Sequence, residues 1–178
     1  MLVAAGPSGP ARQWAYDSSV DDVRWLTQDE MSLWQSFVLA QQDLDRVISA
    51  DLASSALSHA DYAVLVGLSE GGSSGIRVGR LRDWIGWESS RLAHQLRRME
   101  SRGLVSRCPA SDDGRGTVVT ITEEGLARIK AAAPGHVTTV RVNFLDLMTP
   151  RERAVLAEVF DRVARTISPD RPPLPGLD

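Results

Sequence analysis

The 178-residue chain has little of several things, and each shortage narrows what it can be. It holds one cysteine, Cys108, which excludes an internal disulfide framework and any cysteine-rich zinc site. A single thiol fits a reducing, cytoplasmic setting. No run of about 18 uninterrupted apolar residues occurs, so no membrane-spanning helix is expected. The opening MLVAAGPSGPA lacks basic residues ahead of its apolar stretch and is broken by Gly6, Pro7, Gly9 and Pro10. It is not expected to act as a signal peptide; residues 1–20 read as a flexible arm. Lysine is almost missing: Lys130 is the only one, and the other basic residues are arginines. The arginine fork matches phosphate and guanine edges in a way that a lysine point charge does not.

Enzyme signatures are missing as well. No nucleophile–base arrangement, paired carboxylates or phosphate loop can be recognised. The glycines of 69–75 (SEGGSSG) are not followed by Gly-Lys-Ser/Thr. His59, His94 and His136 fall on different predicted helices without ligand spacing, so neither metal nor cofactor is expected. Composition is otherwise that of an ordinary globular chain, with 43% hydrophobic and 24% charged residues.

The net charge of −3 conceals a strong asymmetry. Residues 1–75 carry three arginines against ten acids, a balance of −7. Residues 76–115 carry nine arginines against five acids, a balance of +4, and residues 116–178 carry eight of each sign. An acidic chain with one basic block suits a localised anionic partner, although a solvated charged face would show the same numbers.

Hydrophobic spacing and punctuation predict a mainly helical chain with one β-hairpin. Thr27-Gln28-Asp29-Glu30 is a capping box that opens a long amphipathic helix over roughly 28–53. Ser58-His59-Ala60-Asp61 caps a second helix, which ends in the glycines after residue 69. Ile76–Val78 reads as one short strand turn. Short helices follow over 78–85, stopped by Gly86, and 88–102, stopped by Gly103. Residues 104–108 and 117–121 alternate as two strands around a turn-rich tip at 109–116. Thr122 opens a helix expected to reach Met148, with a kink or break at Pro134-Gly135. Thr149-Pro150-Arg151-Glu152 caps the last helix, and PDRPPLPGLD cannot continue it.

Three helices followed by a hairpin make a winged helix-turn-helix, and the basic block coincides with that unit. At 100° per residue, Leu92, Leu96 and Met99 form one stripe of the 88–102 helix. Ser90, Arg91, His94, Arg97 and Arg98 form the opposite face, with Gln95 at its edge. That face is free of acids, as a helix laid in a major groove requires, since every acid there would meet phosphates. Ser90, Arg91, His94 and Gln95 are expected to face base edges, and Arg97 and Arg98 phosphates or a flanking base.

The run from Ile76 to Arg107, followed by SDDGRGTVVTITEEG, resembles the MarR family of bacterial transcription regulators. Arg98-Met99-Glu100-Ser101-Arg102-Gly103-Leu104-Val105 stands where that family closes its recognition helix. Asp113-Gly114-Arg115 and Ile121-Thr122-Glu123-Glu124-Gly125 match its wing signature. One departure is Glu88, where the family usually starts the helix with Ser; this shifts the first expected base contact to Ser89 or Ser90. The resemblance implies a homodimer that binds a pseudo-palindromic double-stranded DNA operator, usually as a repressor and often released by a small aromatic or anionic ligand.

On that reading the chain divides into an arm (1–20), an N-terminal dimerisation helix (21–55), the DNA-binding region (56–122), C-terminal dimerisation helices (123–168) and a flexible tail (169–178). Leu33, Phe37, Leu44 and Ile48, with Phe144, Leu145, Leu147, Leu156, Val159 and Phe160, are expected to form the dimer seam. Arg115, between two glycines at the wing tip, is expected in the minor groove, with Asp113 paired to Arg115 or Arg107. Trp34 and Trp84 are candidates for lining a ligand pocket, against the simpler role of core and dimer anchors. Cys108 is expected to be an inert thiol. The alternative function is a winged-helix protein–protein adaptor, which would be expected to lose Arg115 or acidify the face that keeps Arg91, Arg97 and Arg98.

Overall fold

A computed structural model describes residues 23–70, 74–110 and 116–171. The expected arm at 1–20, the wing tip with Asp113 and Arg115, and the tail beyond Arg171 lie outside the described residues. Six α-helices and a three-stranded antiparallel sheet are seen among those described. In order they are α1 (Gln28–Ala53), α2 (His59–Glu70), β1 (Ile76–Arg77), α3 (Val78–Ile85), α4 (Ser89–Ser101), β2 (Val105–Pro109), β3 (Thr117–Ile121), α5 (Glu123–Asn143) and α6 (Pro150–Ile167). None of the described helices is long and apolar enough to cross a membrane.

The chain divides into two compact units, Met1–Asp45 and Arg46–Asp178. In the first, the Thr27–Glu30 capping box closes in both directions. Thr27 N donates to Glu30 Oε2 at 2.8 Å and Glu30 N donates to Thr27 Oγ1 at 3.2 Å. Beyond it α1 holds Leu33, Trp34 and Phe37 towards solvent, with the Trp34 and Phe37 rings 5.7 Å apart.

The second unit is built around Leu52, Leu57, Val64, Leu65, Leu68, Leu81, Leu92, Leu96, Met99, Leu104, Val105 and Val119, all nearly inaccessible to solvent. The apolar stripe of α4 thus packs into the core as its spacing predicts. Left-handed glycines stop two helices: Gly86 (φ 73°) ends α3, and Gly103 (φ 71°) lies just past the end of α4. The sheet has the order β1-β3-β2, with Ile76 opposite Val119 and Arg107 opposite Val119 from the other side.

Where the wing gives way to α5, Thr122 Oγ1 accepts from Gly125 N at 3.0 Å and donates to the Gly103 carbonyl at 2.6 Å. A Cβ on Gly125 would lie 2.1 Å from the Leu104 carbonyl oxygen, so only glycine fits there. The Thr-x-x-Gly pattern is therefore a packing requirement between the helix start and the recognition-helix turn.

Two expectations for α5 need correction. Of the kink or break expected at Pro134-Gly135, the break does not occur: Pro134 lies inside a continuous 21-residue element. Nor does it reach Met148: it stops at Asn143, and a single 3-10 turn at Leu145–Leu147 follows. Arg153 Nη1 bonds the Leu145 and Met148 carbonyls, at 3.0 and 2.8 Å, and satisfies the groups left by that turn. The Thr149–Glu152 capping box then opens α6 as predicted.

Of the expected seam residues in this unit, Phe160 and Leu147 are exposed, whereas Ile48 packs against the chain's own core. Ile48 lies in the last two turns of α1, where the helix has already joined the second unit.

Candidate nucleic-acid interface

The exposed face of α4 is the site to which the charge asymmetry points. Its apolar side is closed: Leu92, Leu96 and Met99 are buried. Ser89, Ser90, Arg91, His94, Arg97 and Arg98 are all exposed. Among the described residues, the side chains of Ser90, His94, Arg97 and Arg98 take part in no ion pair or hydrogen bond. No acid lies in the first turn of α4. Glu88 takes the N-cap backbone conformation (φ −65°, ψ 145°) but its carboxylate makes no capping bond. The departure at this position therefore removes a side-chain cap and leaves the first amides of α4 without one.

Arg91 does not swing freely. Its guanidinium carbon lies 4.3 Å from the centre of the Trp87 ring, one helical turn earlier. The ring beneath it limits the arginine's rotamers. Sequence reasoning passed over Trp87, although its four-residue spacing to Arg91 was readable.

Gln95 occupies a different position from the one expected. It is half-buried, and its Nε2 donates to Asp61 Oδ1 at 2.7 Å. It belongs to the contact between α2 and α4, not to the open face. The acid Glu100 is also engaged: Arg107 Nε donates to its Oε2 at 2.9 Å. The Arg107 hydrogen bonds hold the Glu100 carboxyl below its ordinary range against the opposing effect of burial. Arg107, one of two partners expected for Asp113, is thus occupied by the end of α4.

Sequence reasoning also passed over the residues at the wing root. A cleft of about 580 Å³ opens there, lined by Arg77, Arg80, Asp83, Thr117 and Asp170 among others. It sets Arg80, exposed on the first turn of α3, beside the root of the wing. Arg82 pairs with its neighbour Asp83 and lies 3.4 Å from Ser89 Oγ, bridging α3 and the start of α4.

The two tryptophans proposed for a ligand pocket lie in different compact units. Trp34 is 43% exposed on α1. Trp84 packs against the core, its ring occupying the space a Gly67 side chain would need, and its enclosed Nε1 has no hydrogen-bond partner among the described residues. Cys108 is exposed on β2. His136 stacks on Tyr62 with ring centres 4.4 Å apart, and burial lowers its pKa.

Neither a protein-family model nor a curated relative matches the chain. Solved structures do. AbsC, a MarR family transcriptional regulator from Streptomyces coelicolor, is 34% identical, with 82% of this chain and 98% of that one covered at a TM-score of 0.77. Sco3205, a second MarR family regulator from the same organism, solved in complex with DNA, is 33% identical. The match covers 89% of this chain and 99% of that one at a TM-score of 0.80. BpsR of Bordetella bronchiseptica, whose DNA binding is regulated by 6-hydroxynicotinic acid, shares the fold at 18% identity and a TM-score of 0.65, over 75% and 98% of the two chains.

Proposed function

The chain belongs to the MarR family of transcriptional regulators, and from that premise we propose a sequence-specific, double-stranded-DNA-binding repressor that acts as a homodimer on a pseudo-palindromic operator. The observation that carries this reading is the exposed face of α4: six hydrogen-bonding side chains, three of them arginine, and no acid. The DNA complex of Sco3205, a relative of similar length, supports it.

In this proposal Ser89, Ser90, Arg91 and His94 meet base edges, and Arg97 and Arg98 meet phosphates. Arg80 adds a phosphate contact at the wing root. Arg115 enters the minor groove, and Asp113 holds the wing tip in shape. Gln95, expected among the base readers, is withdrawn because its amide is bonded to Asp61. The exposed apolar residues Val155, Phe160, Val163 and Ile167 on α6, with Leu33 and Phe37 on α1, support assembly with a second copy. The protein works by binding, without catalysis, in the cytoplasm where its DNA lies. A small aromatic or anionic ligand acts as the release signal, with Trp34 the better-placed tryptophan because Trp84 is committed to the core.

A gel shift with the DNA upstream of its own gene tests the reading. A complex that survives excess random duplex is expected. A complex lost equally to any duplex would favour the adaptor alternative.

A further inference from the structure

Asp61 is 1% exposed, a charged side chain buried in the second unit. Its role as the fourth residue of an N-cap accounts for only part of its bonding. Oδ2 accepts from Ser58 N and Ser58 Oγ, each at 2.8 Å, which is the local capping arrangement. The same oxygen accepts from Arg102 Nη1 at 2.8 Å, and Oδ1 accepts from Gln95 Nε2 at 2.7 Å. Those two donors lie 41 and 34 residues away in sequence, just past the end and in the middle of α4 respectively. Arg102 reaches further, donating through Nη2 to the carbonyl of Ala56, itself held at φ 55°.

Two anchors seven residues apart on a helix lie about 10 Å apart along its axis. They fix what the apolar stripe alone leaves soft. Leu92, Leu96 and Met99 specify which side of α4 is buried, but aliphatic contacts tolerate sliding and small rotations. Directed hydrogen bonds to one buried carboxylate do not. Base reading needs side chains placed to about 0.5 Å and 10–20°.

We propose that Asp61 is a positioning residue for DNA reading: through Gln95 and Arg102 it sets the rotation and axial position of α4. The inference rests on the DNA-binding reading above. It makes Gln95 an anchor that touches no base. Burial acts to raise the Asp61 pKa, but the Ser58 and Arg102 bonds outweigh it and hold the carboxyl ionised.

The test uses the full-length protein and duplexes that the wild type selects from a randomised pool. Base preference is then measured position by position for Asp61→Asn, Gln95→Ala and Ser58→Ala, each below its unfolding temperature. Asp61→Asn and Gln95→Ala are expected to lower the ratio of selected to random binding about tenfold, the weight of one charge-assisted bond. The loss should flatten preference at all half-site positions together, and the double variant should be no worse than Asp61→Asn alone. Ser58→Ala should lower the unfolding temperature and leave the preference profile intact, which separates positioning from stability. Should Asp61→Asn not fold, Gln95→Ala decides alone. Relaxation at a single base position in Gln95→Ala would make Gln95 a reader and overturn the inference, as would an unchanged profile. Failure of the wild type to enrich any sequence would instead overturn the DNA-binding reading on which the inference rests.

Discussion

Helices α4 and α6 carry similar amphipathic patterns, yet one is finished and the other is not. The apolar stripe of α4 is covered by its own chain, with Leu92, Leu96 and Met99 all buried. α6 has no buried residue, and Val155, Phe160, Val163 and Ile167 stand open. The difference shows where each helix takes its partner. A stripe closed within the chain frees the opposite, polar face for another molecule. A stripe left open makes the apolar face itself the contact.

The comparison can be broken most severely inside α4. Leu96→Ala is expected to cost about 2–5 kcal/mol of stability and lower the urea midpoint of the second unit. Operator binding should fall only where the variant unfolds. The matching change on α6, Phe160→Asp with Val163→Asp, is expected to act the other way round. Unfolding should shift little in the isolated chain. Light scattering should report a monomer, and operator binding should weaken by several kcal/mol as the second half-site is lost. A stable dimer in that variant would remove α6 from the interface.

Changes on the polar face are expected to be smaller. Arg91→Ala should cost about 1–3 kcal/mol and relax preference at one position per half-site; equal weakening on random DNA would make Arg91 a phosphate contact. Trp87→Leu removes only the ring that steadies Arg91, so about 0.5–1 kcal/mol of the same discrimination should go, and Trp87→Phe should recover part of it.

The smallest effect concerns pH. Because the folded-state pKa of Asp61 lies below the ordinary 3.8, the stabilisation is fully present above that value and is lost as pH falls through the lowered one. The wild-type urea midpoint should therefore fall more steeply on acidification below about pH 4 than that of Asp61→Asn.

What was readable in the sequence follows one physical rule. Features decided within four residues were legible: the Thr27, Ser58 and Thr149 caps, the stops at Gly86 and Gly103, and the buried stripe of α4. Features decided by distant partners were not. Gln95 lies at the edge of two faces by angle alone, and only Asp61, 34 residues away, determines which it joins. Pro134 was expected to kink or break α5, since proline removes one helical hydrogen bond and crowds the previous turn. The helix nevertheless runs through, with Ile129 and Ala132 ahead of the proline both buried. Ile48 was assigned to the seam by periodicity, which is blind to where one packed unit ends and the next begins.

The continuity of α5 has a mechanical consequence. Its 21 residues form a rod about 30 Å long. One end is pinned to the recognition-helix turn through Thr122, Gly125 and Leu104, and the other to the 3-10 turn braced by Arg153. The rod is one helical element from end to end, proline included. A tilt imposed at the far end is therefore carried towards the wing root through a single helical element.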